Sequence, residues 1–388
     1  MLAVLAPGQG SQKPGFLSPW LDLQGVPARL RWLSTIAGVD LVHLGTEADA
    51  EEIRDTARTQ PLLVAAGLLA AEFLPMSDAQ VVAGHSVGEL TAAALAGMLT
   101  PEAAVTLASV RGREMAAACA LEPTGMSAVL GGDPDEVLAK LAEHGLTPAN
   151  RNGAGQIVAA GSLDGLARLK EDPPAKAKVI PLKVAGAFHT PYMAPAQEAL
   201  QAVAAGVAAT DPAKLLLSNT DGTAVVTGGE GIARLVRQVT SPVRWDLCQD
   251  TMTELGVTGI IELAPAGTLA GLAKRAMKGV EIVTVNTPDD LPAARDLAAR
   301  HATHHWIDSS LHFHVAVAPA AGGFSPAALE LGDTVDAGTV VGHVLTRQGA
   351  VDVVSAHTGV LVEWLADEDD PVAPGAPLAR LHPTGADR

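Results

Sequence analysis

A mainly parallel α/β unit, carrying a smaller α+β insert and followed by an all-β unit, is what this 388-residue chain predicts. Three observations lead there. Over the first 300 residues, Val- and Leu-rich runs alternate with helix-forming stretches, the pattern of strands joined by crossover helices. Between residues 124 and 187 the order changes to β-α-β-β-α-β. Beyond about residue 303 the helical pattern stops, no lysine follows Lys278, and short apolar patterns recur at an offset of 37 residues.

Length alone suggests two or three compact units. Hydrophobic residues make up 48% and aromatic residues 3%, so the core is built from Ala, Val and Leu. The formal net charge of −17 argues against nucleic acid as a partner, and it means that an acidic partner needs a local basic patch. Cys119 and Cys248 stand apart without metal-ligand spacing and read as small buried hydrophobes in a reducing compartment. Met1 leads straight into an apolar strand with no basic leader, and no apolar run is long enough to span a bilayer. A cytoplasmic protein with no membrane partner is expected.

Taken in order, residues 1–6 read as a short buried strand. Pro7-Gly8-Gln9-Gly10-Ser11-Gln12 then forms a loop whose backbone can approach a ligand closely. Helix is expected over 47–56 and 60–73. Val81-Val82-Ala83 runs into Gly84-His85-Ser86-Val87-Gly88, and helix over 90–99 follows at once. Strand, sharp turn and helix lift the Ser86 hydroxyl above the sheet at a helix N-terminus, as in a G-x-S-x-G elbow. Pro101 suits the first turn of a helix reaching Ala118. In the insert, strands over 126–130, 146–151, 156–160 and 178–182 with helices over 134–143 and 163–170 give a ferredoxin-like order.

The chain returns through Gly186-Ala187-Phe188-His189 to a helix over 195–205 and a strand over 215–218. A helix over 232–239, a strand over 257–263, a helix carrying Lys274 and Arg275, a strand over 280–285 and a helix over 289–300 complete this region. The first unit is therefore bounded at residues 1–302. Within it, residues 1–123 and 188–302 form the large α/β body, and residues 124–187 form the insert. A linker over 303–314 and an all-β unit over 315–384 follow. In that last unit Ala318-Pro319 with Gly322 matches Ser355-Ala356 with Gly359, and Val335, Gly338 and Val341 match Val372, Gly375 and Leu378. Two copies of one unit, joined by a hairpin peaking near 346–350, predict a pseudo-two-fold barrel-sandwich.

A serine at an elbow needs a base, and histidine is the usual one near neutral pH. His85 adjoins Ser86 but points elsewhere on a strand. Five histidines between His301 and His314 lie at a domain junction without Cys or an H-x-x-x-H helix, so no metal is expected there. His189, isolated in a Gly/Ala-rich turn, is the candidate base, although a hydrogen-bonded structural histidine fits its position equally.

Together the motifs resemble malonyl-CoA:acyl-carrier-protein transacylases over about residues 1–300. They are Gly8-Gln9-Gly10-Ser11-Gln12, Thr59-Gln60-Pro61, Gly84-His85-Ser86-Val87-Gly88-Glu89, Arg111-Gly112 with Met115, Asn152 with Gly155-Gln156, Gly186-Ala187-Phe188-His189 and Pro242-Val243-Arg244-Trp245. The resemblance implies an acyltransferase domain that moves malonyl from malonyl-CoA to the phosphopantetheine thiol of acyl carrier protein. The route is a malonyl-serine intermediate in fatty acid or polyketide synthesis, with no cofactor. It makes Ser86 the nucleophile and His189 the base, with the backbone carbonyl of Gln238 in place of a triad acid. The N–H groups of Gln9 and Val87 would form the oxyanion hole, and Arg111 would hold the free malonyl carboxylate. Phe188 would crowd branched acyl groups, and Gln60 and Asn152 would help order the site.

Carrier proteins are acidic as a class, so Arg151, Lys176, Lys178, Lys183, Lys274 and Arg275 are candidates for a docking patch. The tail is similar to biotinyl/lipoyl-like domains through Gly332-Asp333-Thr334-Val335-Asp336-Ala337-Gly338. Its hairpin tip has Gln348-Gly349 where such domains carry a modified lysine, which implies a module that binds a protein partner. Two other readings stand beside the transacylase, a G-x-S-x-G thioesterase or esterase with no use for Arg111, and an assembly protein that recruits partners through its tail.

Overall fold

A computed structural model describes residues 1–302, 314–346 and 348–383 of the chain. They divide between two compact units, Met1–His304 and His305–Arg388. In the first, β1 (Leu2–Ala6) is buried along its whole length. Helices α1 (Val26–Ala37), α2 (Leu41–Thr46) and α3 (Thr56–Ala71) follow, and the Asp40 and Asp55 side chains cap the last two. Nearly every residue of α3 is buried, as expected of a helix apolar all round. Strand β2 (Val81–Gly84) leads through the elbow into α4 (Gly88–Leu95), and α5 (Pro101–Cys119) starts at a Thr100 cap with Pro101 in its first turn. Gly112 lets α5 approach α3, since a Cβ there would lie 2.7 Å from the Thr56 carbonyl oxygen.

The insert comprises β3 (Thr124–Gly131), α6 (Pro134–Glu143), β4 (Thr147–Gly153), β5 (Gln156–Ser162), α7 (Leu163–Glu171) and β6 (Ala177–Pro181). The large body resumes with α8 (Ala194–Ala204), β7 (Leu215–Leu217), α9 (Gly228–Arg237), β8 (Val243–Arg244) and α10 (Trp245–Glu254). It closes with β9 (Gly259–Glu262), α11 (Thr268–Ala276), β10 (Glu281–Thr284) and α12 (Leu291–His301). The large sheet is parallel with order β10-β9-β1-β2-β7. The insert sheet runs β6-β3-β5-β4, the ferredoxin-like order, and β8 extends it by pairing parallel with β4. One sheet therefore contains strands from both the body and the insert, which the sequence boundaries did not anticipate.

Three other expectations need correction. The stretch 47–56 is not a helix, because α2 ends at Thr46 and only a single turn, Glu52–Arg54, forms before α3. The Asp49 carboxylate accepts the N–H groups of Glu51 and Glu52, and this local bonding competes with helix. Helices α1 and α10 were not anticipated, although Trp245, Cys248, Gln249 and Met252 bury one face of α10 at helical spacing. Cys119 is half-buried, while Cys248 is buried as expected.

The second unit contains β11 (His314–Val317), β12 (Gly322–Pro326), β13 (Thr334–Val335) and β14 (Val340–Thr346). Strands β15 (Gly349–Val354), β16 (Gly359–Trp364), β17 (Pro371–Val372) and β18 (Pro377–Pro383) follow. Two antiparallel four-stranded sheets result, β11-β18-β16-β13 and β15-β14-β12-β17. Shifting by 37 residues turns β12, β13 and β14 into β16, β17 and β18, so the repeat maps each sheet onto the other. Phe324 and Leu361, Val341 and Leu378, and Val344 and Leu381 are buried equivalents. Gly338 and Gly375 turn at matching φ values of 89° and 83°. The expected linker 303–314 falls outside the described residues except for His314, which begins β11.

Candidate active site

The elbow between β2 and α4 holds Ser86 at φ 54°, a left-handed conformation that costs a non-glycine residue about 1–3 kcal/mol. Glycines on both sides make it possible. A Cβ on Gly84 would lie 2.0 Å from the Gly88 backbone, and one on Gly88 would lie 2.2 Å from the Ala6 carbonyl oxygen. Side-chain bonds hold the turn, with Ser86 N–H donating to Asn219 Oδ1 at 2.8 Å and Asn219 Nδ2 donating to the Gly84 carbonyl at 2.8 Å.

His189 also sits at positive φ, 60°, on the segment returning from the insert. Its Nε2 lies 2.7 Å from Ser86 Oγ, and its Nδ1 lies 2.7 Å from the backbone carbonyl oxygen of Gln238 just after α9. A carbonyl can only accept, so Nδ1 carries the proton and Nε2 is free to accept the serine O–H. Burial, and next the charge of Arg111, push the imidazole down to about 3, so it is neutral at physiological pH.

Arg111 is buried on α5. Its Nη1 donates to Gln60 Oε1 at 2.7 Å, and its Nη2 donates to Gln238 Oε1 at 3.0 Å and to Ser86 Oγ at 3.2 Å. Burial lowers the guanidinium to about 10, which leaves it charged at neutral pH. Ser86, His189, Arg111, Gln60 and Gln238 thus meet in one hydrogen-bonded cluster.

Other predicted residues stand further from the reacting pair. Asn152 Oδ1 meets His85 Nε2 at 2.9 Å, so its link to the elbow runs through His85. Gln9 lies in the loop after β1, its side chain donating to Thr56 Oγ1 at 3.2 Å, and a cavity of about 250 Å³ opens beside it. Val87 is the N-cap of α4, ahead of the first intrahelical bond. Phe188 is buried next to His189. Within the basic set, Arg151 pairs with Asp246 at 3.4 Å and Arg275 donates to Gln156 at 3.4 Å. Among the described residues, Glu143, His144 and Asp172 could together approach a cation, but Lys140 already pairs with both carboxylates.

Two residues of the cluster carried no role in the sequence reading. Asn219 follows β7, at the carboxyl end of a parallel strand where such sheets place functional groups. Glu89 is a carboxylate in an otherwise Ala- and Leu-rich helix, and it accepts from Asn219 N–H and from the Gln238 side chain. Burial raises it to about 7 against the opposing pull of hydrogen bonds from Asn219 and Ser218 and of the Arg111 charge.

Residues 5–302 match the acyl transferase domain family. The malonyl CoA-acyl carrier protein transacylase of Mycobacterium bovis is 55% identical over 302 residues, covering 76% of this chain and all of that protein. The corresponding enzyme of Haemophilus influenzae is 34% identical, covering 73% and 95%. The crystal structure of MCAT from Mycobacterium tuberculosis superimposes with a TM-score of 0.74 at 55% identity, covering 76% of this chain and 99% of that one. A malonyl-transacylase solved in complex with a type II PKS acyl-carrier protein superimposes with a TM-score of 0.72 at 30% identity, covering 76% and 99%.

Proposed function

This chain belongs to the malonyl-CoA:acyl-carrier-protein transacylase family of acyltransferases, and from that premise we propose how its residues divide the work. The protein transfers malonyl from malonyl-CoA to acyl carrier protein in fatty acid synthesis. The observation that carries the reading is a buried guanidinium 3.2 Å from the hydroxyl of a serine that is itself 2.7 Å from a neutral imidazole.

In the first half-reaction Ser86 Oγ attacks the thioester carbonyl carbon while its proton passes to His189 Nε2. The tetrahedral oxyanion takes hydrogen bonds from the N–H groups of Gln9 and Val87. One such donor typically contributes roughly 3–4 kcal/mol of transition-state stabilisation. The C–S bond breaks, coenzyme A departs with the proton from His189, and malonyl remains as a serine ester. In the second half-reaction the phosphopantetheine thiol gives its proton to His189, its sulfur attacks the ester, and the serine oxygen recovers that proton as it leaves. The Gln238 carbonyl orients the imidazole and stabilises its protonated form. Arg111 answers the free malonyl carboxylate with a two-pronged, charge-assisted contact. Gln60 holds that arginine, Asn152 steadies the elbow through His85, and Phe188 crowds a branched acyl group by about 1–3 kcal/mol per methyl.

The basic residues of the insert and α11 serve as the carrier-protein docking patch, and no cofactor takes part. We place the enzyme in the cytoplasm. Among the described residues, no helix is long and apolar enough to cross a membrane. The second unit reads as a biotinyl/lipoyl-like module that binds a protein partner without carrying a prosthetic group. Its two-fold pair of sheets supports that fold, and Gln348 at the β14–β15 turn offers no amine for attachment.

Intact-mass analysis of the full chain tests both readings. Incubation with malonyl-CoA adds one malonyl group to the wild type and none to Ser86→Ala, and the chain carries no biotinyl or lipoyl mass. A malonyl adduct on Ser86→Ala refutes the nucleophile, and a prosthetic-group mass refutes the module.

A further inference from the structure

The polar cluster beneath Ser86 contains one carboxylate that the transfer steps leave without a task. Glu89 lies in the first turn of α4, three residues past the nucleophile, and is 4% exposed. One of its oxygens accepts the Asn219 N–H at 2.8 Å and the other accepts from the Gln238 side-chain amide. That amide is fully committed. Its nitrogen donates its second proton to Asn219 Oδ1 at 3.0 Å, and its oxygen accepts from Arg111 Nη2 at 3.0 Å. Turning the amide over would set NH2 against a guanidinium donor and oxygen against two acceptors. Two acceptors on one side and a donor on the other permit a single orientation.

We propose that Glu89 is a positioning residue that locks the Gln238 amide with its oxygen toward Arg111, and that this amide keeps the Glu89 charge one group away from the guanidinium. The separation matters for a dicarboxylic acyl group. A carboxylate touching Arg111 directly would compete with the malonyl carboxylate for the same donors. With the amide between them, a neutral oxygen aims the guanidinium and its charge stays available to the substrate. Asn219 links the same carboxylate to the elbow, because its Oδ1 accepts the Ser86 N–H. The inference rests on the reading of Arg111 as the carboxylate holder.

Steady-state transfer from malonyl-CoA and from acetyl-CoA, measured at pH 8, tests it on Glu89→Gln, on the reversed pair Glu89→Gln/Gln238→Glu, and on Arg111→Ala. In Glu89→Gln one amide proton must face another, and relief by turning Gln238 over sets its NH2 against Arg111. The expected result is a KM for malonyl-CoA raised about tenfold, a smaller change in kcat, and a malonyl-over-acetyl preference reduced by a similar factor. The reversed pair restores the hydrogen bond between the two side chains but sets the carboxylate against Arg111 and against the Asn219 Oδ1 acceptor, so the malonyl preference does not recover. Wild-type preference in the reversed pair, or equal losses on both acyl groups in Glu89→Gln, overturns the proposal. If Glu89→Gln does not fold, Glu89→Asp keeps the charge but shortens the reach, and it too must lower the preference. Arg111→Ala separates the two claims. Retained malonyl preference there refutes the role of Arg111 itself, whereas lost preference there with none lost in the Glu89 variants refutes only the positioning role.

Discussion

The two units bury different things. At the centre of the first, Glu89, Arg111, His189, Asn219 and Gln238 are each less than 5% exposed and share one hydrogen-bonded cluster. Among the described residues of the second, the buried set is apolar apart from Ser355. Burying a charge is costly unless its polar atoms find partners, and the first unit holds its buried guanidinium by hydrogen bonds to Gln60, Gln238 and Ser86. The second unit has an interior of Val, Leu, Ala and Phe. Backbone strain does not follow that division. Ser86, Ala154, Lys176 and His189 adopt left-handed φ in the first unit and Asp369 does so in the second, where the matching turns use Gly338 and Gly375.

Removing the charge at the first centre should have the largest effect. Arg111→Ala should lower kcat/KM for malonyl-CoA by roughly 10²–10³-fold, in line with about 3–4 kcal/mol for a buried charge-assisted contact, and change acetyl transfer far less. Comparable losses on both substrates would show that the arginine holds the fold together rather than the substrate. A pH profile sharpens the point. His189 must be neutral to accept the serine proton, and its depressed value of about 3 keeps it so throughout ordinary assay conditions. The wild-type kcat/KM for acetyl-CoA, whose acyl group has no carboxylate for Arg111, should therefore show no acid limb near pH 6.5 from the imidazole. In Arg111→Ala one of the three depressing causes, burial, the Arg111 charge and the His85 charge, is gone, so the limb should move up toward the ordinary imidazole range. A limb at the same pH in both proteins would show that the Arg111 charge contributes nothing to the depression. The smallest effect tests the second unit. Gly338→Ala and Gly375→Ala each introduce a Cβ that meets nothing within 4 Å, so only left-handed strain remains. Each should cost about 1–2 kcal/mol in thermal unfolding, equally and additively, with malonyl transfer unchanged. Unequal costs would break the two-fold equivalence of the halves.

Much of this was written in local pattern. The elbow was legible because Gly84, Ser86 and Gly88 follow a β-branched strand and precede an Ala-rich helix, and each neighbour constrains the next. The insert order was legible because 134–143 and 163–170 are amphipathic helices bounded by capping residues, Asp133 and Ser162. The 37-residue repeat fixed the symmetry of the tail, since equivalent valines and glycines meet equivalent surroundings. Other features had no local signal. Strand β8 is two residues long, and it is a strand only because β4 offers an unpaired edge beside it. The stretch 47–56 has helical composition, yet the Asp49 side chain captures the N–H groups of Glu51 and Glu52, and Asp55 caps a new helix that starts at Thr56.

The sequence by itself determined which residue types would do the chemistry and the order in which the chain presents them, because turns, caps and periodicity act between near neighbours. Only the tertiary structure decided that His189, 103 residues from Ser86, reaches it at 2.7 Å, and that Glu89 and Asn219 join the cluster. Those partners come from α4, α5, the end of α9 and the end of β7, so no spacing along the chain encodes their meeting. Each buried polar atom must find a partner wherever the fold brings one within reach, and that requirement is met in space rather than in sequence.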